Sequence, residues 1–164
     1  MTLTPNSSPV RVLVVDDDAM SRDLLALLLD AEGYAVESAD SGDAALTFLS
    51  QSPAPGIVLT DIKMPGTSGR PLANRLRRLC GPETLLLAMS GSGPSTEATR
   101  AYDGFLLKPF TMEEFAAAAS SYIAQGNESE PAQIPQDAAL NETIYSKLTA
   151  SMQPDQLHQQ GRFL

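Results

Sequence analysis

The chain has 164 residues, 43% of them hydrophobic, enough for one domain of ordinary size with an apolar core and an extra segment. Its formal net charge of −9 argues against binding DNA on its own, because non-specific binding rests on Lys and Arg neutralising phosphates. Cys80 is the only cysteine, so no internal disulfide can form and a reducing compartment fits; no apolar run reaches the roughly 18 residues of a membrane span, and residues 1–9 lack the pattern of a secretion signal.

After a loose leader over 1–9, residues 10–124 alternate between apolar runs and helix-period segments. Residues 10–15 read as a buried strand. Met20, Leu24, Leu27, Leu28 and Ala31 recur at helical spacing over 19–32, and Gly33 is a stop signal. A shorter strand is predicted over 34–38. Ser41 is placed to cap a helix carrying Ala45, Phe48 and Leu49. The Ser-Pro-Ala-Pro-Gly stretch over 52–56 is a turn, 56–60 a strand, and 63–69 a loop. Residues 70–79 predict a helix, with Pro71 suited only to its first turn. Residues 84–89 predict a strand, 94–102 a short helix, and 104–107 a strand. Thr111 with Glu114 forms a capping-box pattern before a helix carrying Phe115, Ala119, Tyr122 and Ile123 on one side.

Five strands alternating with helices imply an α/β fold with a doubly wound parallel sheet. The near-continuous apolar character of the first, third and fourth strands suits burial on both faces. Beyond residue 124 the composition changes. Residues 125–136 are rich in Glu, Pro, Gln and Ser and read as a linker. Leu140, Ile144 and Leu148 recur every four residues and predict an amphipathic helix; Pro154 opens another with Leu157. The tail over 137–164 is thus a C-terminal helical extension. It reads as the start of a truncated second module, or as helices that dock elsewhere.

The chemistry-bearing residues stand at strand ends. Asp16 and Asp17 close the first apolar run, Asp61 the third strand, Ser90 the fourth and Lys108 the fifth. In an open parallel sheet these ends lie along one edge, where ligands bind. Three carboxylates, a hydroxyl and an ammonium on one edge suit a Mg2+-dependent phosphoryl acceptor. Taken alone, the run Asp16-Asp17-Asp18 is as readily a solvated acidic turn; with Asp61 and Lys108 it is a candidate cation site.

The segments Val-Val-Asp-Asp-Asp (14–18), Asp-Ile-Lys-Met-Pro-Gly (61–66) with Gly69, Met-Ser-Gly (89–91) and Lys-Pro-Phe (108–110) occur together in one order and spacing. Through them the chain resembles the receiver domain of two-component response regulators, the CheY-like fold. The resemblance covers about residues 10–124. It implies the flavodoxin-like strand order 2-1-3-4-5 and a signalling phosphoacceptor rather than an enzyme. It places the phosphoacceptor at Asp61, Mg2+ on Asp16, Asp17, Asp61 and the backbone carbonyl of Lys63, and the phosphoryl-binding and switch residues at Ser90, Lys108 and Phe105. It also implies a cis peptide before Pro109. The expected donor is a histidine kinase or histidine-phosphotransfer protein, and the expected location cytoplasmic. An output domain or protein would be met through the face of the fourth helix, fifth strand and fifth helix.

The chain departs from the family in two places. The interval from Ser90 to Gly104 is short by roughly one helical turn. The fourth helix is therefore expected to be short or displaced, and the family's dimer mode is not carried over. Lys63 and Ser92 occupy positions that vary in the family and tune acyl-phosphate lifetime.

Three other readings compete. A phosphatase or phosphotransferase of the haloacid dehalogenase type would need a second Asp two residues after the nucleophile, where this chain has Lys63. A docking-only receiver would lack pocket residues that are present here. His158, the only histidine, lies in His-Gln-Gln-Gly rather than the His-x-x-Lys-Gly of phosphotransfer modules, and reads as a polar helix residue. Cys80 reads as a packing residue. The remaining residues hold no basic helix-turn-helix, so no contact with nucleic acid by this chain is expected.

Overall fold

Strands β1 (Arg11–Val15), β3 (Ile57–Asp61) and β4 (Leu85–Ser90) are apolar almost throughout and buried on both faces. The computed structural model describes residues 8–93 and 100–124. With β2 (Ala35–Ala39) and β5 (Gly104–Leu107) these strands form one five-stranded parallel sheet in the order β2-β1-β3-β4-β5. The central register aligns Val15 with Thr60 and Asp61 with Met89, so the C-terminal ends of β1, β3 and β4 finish level.

Helices α1 (Ala19–Ala31), α2 (Gly42–Gln51), α3 (Gly69–Cys80) and α4 (Met112–Ala124) connect or follow the strands. The alternation of strand side chains divides the core into two layers. Leu13, Val15, Val58, Leu86 and Ala88 pack with Ala45 and Leu49 of α2 and Leu72, Ala73 and Leu76 of α3. Val12, Val14, Ile57, Leu59, Leu87 and Met89 pack with Leu25 and Leu29 of α1 and Phe115 and Ala119 of α4.

Local chemistry starts the helices. Asp18 caps α1 by accepting from the Ser21 N–H at 2.7 Å, and Ser41 caps α2 by accepting from the Ala44 N–H at 3.1 Å. Thr111 and Glu114 form the reciprocal box ahead of α4, with bonds of 2.8 and 3.1 Å. Helix α3 begins at Gly69, one residue before its predicted start, and Ser68 supplies no side-chain cap. Strand β3 runs one residue past its predicted end, so Asp61 itself belongs to the ladder. Of the helix predicted over 94–102, residues 94–99 lie outside the described residues, and Arg100 and Ala101 form a turn. The expected linker and helical tail over 125–164 also lie outside them. Among the described residues, no helix is long and apolar enough to cross a membrane.

Candidate functional site

Because the strands are parallel, Asp16, Asp61, Ser90 and Lys108 converge at one edge of the sheet. Asp16 follows β1 and is 1% exposed. Such a carboxylate must be hydrogen-bonded or paired. It is both: Oδ1 accepts from the Asp18 N–H at 2.9 Å, and Oδ2 accepts from Ser21 Oγ at 3.0 Å and from Lys108 Nζ at 2.6 Å. The Arg22 guanidinium donates to the Asp16 backbone carbonyl at 2.8 Å, which fixes the turn between β1 and α1.

Asp61 ends β3 with its side chain 13% exposed and accepts from Lys108 Nζ at 2.9 Å. Its other oxygen accepts from the Lys63 N–H at 2.7 Å, and the Ile62 N–H donates to the Met89 carbonyl at 3.1 Å, so the strand end is held on both sides. Lys108 therefore bridges two carboxylates. Burial pulls its pKa down, but the hydrogen bonds and charges of Asp16 and Asp61 outweigh that and raise it. The backbone of Lys108 is fixed by its N–H donating to the Ser90 carbonyl at 2.8 Å, and the Lys108–Pro109 peptide is cis.

Asp17 lies at the exposed rim. One oxygen each from Asp16, Asp17 and Asp61 falls within 4.8 Å of the others. Three carboxylates (−3) and one ammonium (+1) sum to −2. An all-oxygen donor set with that charge fits a hard divalent cation. The residues present therefore fit such a cation.

Two expected pocket residues are placed differently from the carboxylates. Ser90 is fully buried, and its hydroxyl meets Ser92, with Oγ atoms 3.5 Å apart and the Ser92 N–H donating to Ser90 Oγ at 3.3 Å, rather than Asp61. Phe105 is half-buried and packs with the α2–α3 layer. Lys63 sends its ammonium across the mouth of the site to the Ser92 hydroxyl.

Several contacts of the site were not read from the sequence. Ser21 on Asp16 could have been suspected from the Asp18 cap, which brings the first turn of α1 back over the strand end. The resemblance singles out Lys63 and Ser92 separately, but their contact joins two loops 29 residues apart and has no local sequence signal. The loop after Asp61 is also clasped by α2: Thr67 Oγ1 donates to Asp43 at 2.8 Å, and a Cβ on Gly42 would lie 2.0 Å from the Thr67 carbonyl oxygen.

A doubly wound sheet with a lysine-bridged carboxylate cluster at its C-terminal edge defines a receiver-type signalling module. A family model described as the response regulator receiver domain matches residues 12–120. Over 144 residues the chain is 33% identical to the alkaline phosphatase synthesis transcriptional regulatory protein SphR of Synechococcus elongatus, covering 80% of this chain and 55% of that protein. It is 35% identical over 113 residues to response regulator MprA of Mycolicibacterium vanbaalenii, covering 66% and 48%. The crystal structure of response regulator TrrA from Thermotoga maritima, in complex with Mg2+ and BeF, superposes with a TM-score of 0.61 at 30% identity, covering 69% of this chain and 98% of that one.

The chain belongs to the response regulator receiver domain family of two-component signalling. Response regulators interact with histidine kinases and output domains. This chain spans about half the length of the curated relatives it matches.

Proposed function

We propose that Asp61 is the phosphoacceptor of a two-component phosphorelay. A histidine kinase or histidine-phosphotransfer protein presents a phosphohistidine. An oxygen of Asp61 forms the new P–O bond while the P–N bond to imidazole breaks and the imidazole nitrogen takes up a proton. The single observation that carries this reading is the placement of Asp61 beside Lys108 and within ligand distance of Asp16 and Asp17.

Catalysis of phosphoryl transfer is mostly positioning and charge stabilisation. Lys108 stays protonated and stands 2.9 Å from Asp61, so it is placed to move from carboxylate to phosphoryl oxygen as charge arrives. Ser90 is one strand away and supplies a hydroxyl donor once it turns from Ser92. Mg2+, held by Asp16, Asp17, Asp61 and the Lys63 carbonyl, would neutralise the cluster and favour the anionic phosphoryl group. Water later attacks the acyl phosphate, releasing inorganic phosphate and restoring Asp61. This slow self-dephosphorylation makes the protein a timed switch rather than a turnover enzyme.

Phe105 and the surface around β5 carry the change to an output domain or protein, in a cytoplasmic setting and without contact to nucleic acid by this chain. Incubation with acetyl phosphate and Mg2+ tests the assignment by intact mass. One phosphoryl group is expected on the wild type, lost on chelation of the metal and absent from Asp61→Asn. Retained labelling in that variant would sink the assignment.

A further inference from the structure

Tyr102 stands just ahead of β5, and the chemistry above does not use it. Its side chain is 7% exposed and lies in the cluster that holds Ile62 and Met64, from the loop after Asp61, and Leu72, Ala73 and Leu76 of α3. A buried tyrosine hydroxyl needs an acceptor. Here it donates at 2.8 Å to the backbone carbonyl of Gly69, the first residue of α3. Gly69 has φ of 56°, in the left-handed region that side chains disfavour, so the chain changes direction there from loop to helix.

The neighbouring residue secures the other end of the same helix. Asp103 Oδ2 accepts from the Arg77 guanidinium at 2.6 Å and from the Leu86 N–H at 2.8 Å, and the Asp103 N–H donates to the Leu86 carbonyl at 2.8 Å. Two consecutive residues thus tie β4 to both ends of α3. Burial pushes the Tyr102 hydroxyl up in pKa, and the charge of Asp61 adds to that effect. The phenol therefore stays a hydrogen-bond donor to Gly69.

We infer that Tyr102 is a positioning residue for phosphoryl acceptance: its hydroxyl holds the start of α3, and with it the loop over 62–68 that follows Asp61, in register with β4. This rests on Asp61 being the acceptor. It adds that residues 100–103 respond to the state of that loop through one hydrogen bond. A merely structural tyrosine would affect stability and leave acceptance kinetics and this response untouched.

Tyr102→Phe in the full chain removes the hydroxyl and keeps the ring. Intact mass gives the rate of acyl-phosphate formation from acetyl phosphate and Mg2+. Amide NMR gives the shifts of Lys63, Gly69 and Asp103 on adding Mg2+ with beryllofluoride. In the variant the final stoichiometry should be unchanged and the formation rate about 2- to 10-fold lower, the range of one lost hydrogen bond. The Asp103 shift should shrink while that of Lys63 persists.

Equal rates and an undiminished Asp103 shift, with or without a lower melting point, would overturn the inference. If the variant does not fold, a beryllofluoride titration of the wild type decides. Asp103 and Gly69 shifting with one midpoint supports it, and Asp103 silent while Lys63 shifts overturns it. Wild-type protein that takes up no phosphoryl group, even from a phosphohistidine donor, would overturn the acceptor reading and this one with it. Uptake with identical variant kinetics overturns only this one.

Discussion

Lys108 is the residue on which the site's electrostatics turn. Its ammonium is shared between a carboxylate that is 1% exposed and another that is 13% exposed. Removing it leaves those carboxylates facing each other with Asp17 nearby. Asp16 keeps Ser21 and the Asp18 N–H, so the cluster is weakened rather than stripped. Lys108→Ala is expected to cost about 1–3 kcal/mol of stability in chelator, the scale of a buried polar group left without its partner, because Asp16 keeps its other donors. The loss should shrink when Mg2+ is added, because a cation restores the balance. Urea denaturation with and without Mg2+ reads both effects; a loss that Mg2+ does not reduce would count against a cation site among these carboxylates.

At the scale of elements, Gly42 and Thr67 form a tight joint. The start of α2 lies so close to the loop after Asp61 that a methyl group on Gly42 would stand 2.0 Å from a backbone oxygen. Gly42→Ala must therefore displace either α2 or the loop. We expect a stability loss of about 1–3 kcal/mol, typical of overpacking, and slower phosphoryl uptake. Thermal unfolding and intact mass measure the two; a variant unchanged in both would show that the joint is slack.

The same scale shows what was legible beforehand. Strands β1, β3 and β4 announced themselves as apolar runs because both faces are covered, and each run ended in the polar residue that now lines the sheet edge. The cap at Ser41 and the box at Thr111 were legible because capping is local. The contacts of Tyr102 with Gly69, Lys63 with Ser92 and Gly42 with Thr67 were not. Each joins segments brought together only by the finished fold, and no periodicity marks them. Tyr102 also breaks no pattern, since an aromatic before a strand is ordinary core material.

For the molecule as a whole, burial pushes Tyr34, Cys80 and Tyr102 upward in pKa, and the two carboxylates raise Lys108 against the opposing effect of its burial. Each group holds its proton more tightly folded than unfolded. Between the unfolded and folded values the folded chain therefore binds more protons, and stability falls as pH rises through that window. It opens near pH 8.5 for the thiol and about pH 10 for the tyrosines and the lysine. The unfolding midpoint should decline as pH rises above about 10, and Tyr34 and Tyr102 should ionise later than free tyrosine. Ultraviolet titration of tyrosinate alongside a urea series checks this; early ionisation of all four tyrosines in folded protein would refute it.

The division of the core into two layers has a mechanical consequence. Ile62 and Met64, in the loop beyond Asp61, pack in the α2–α3 layer. The layer of α1 and α4, on the other side of the sheet, contains neither of them. A displacement of that loop therefore meets the α2–α3 layer first.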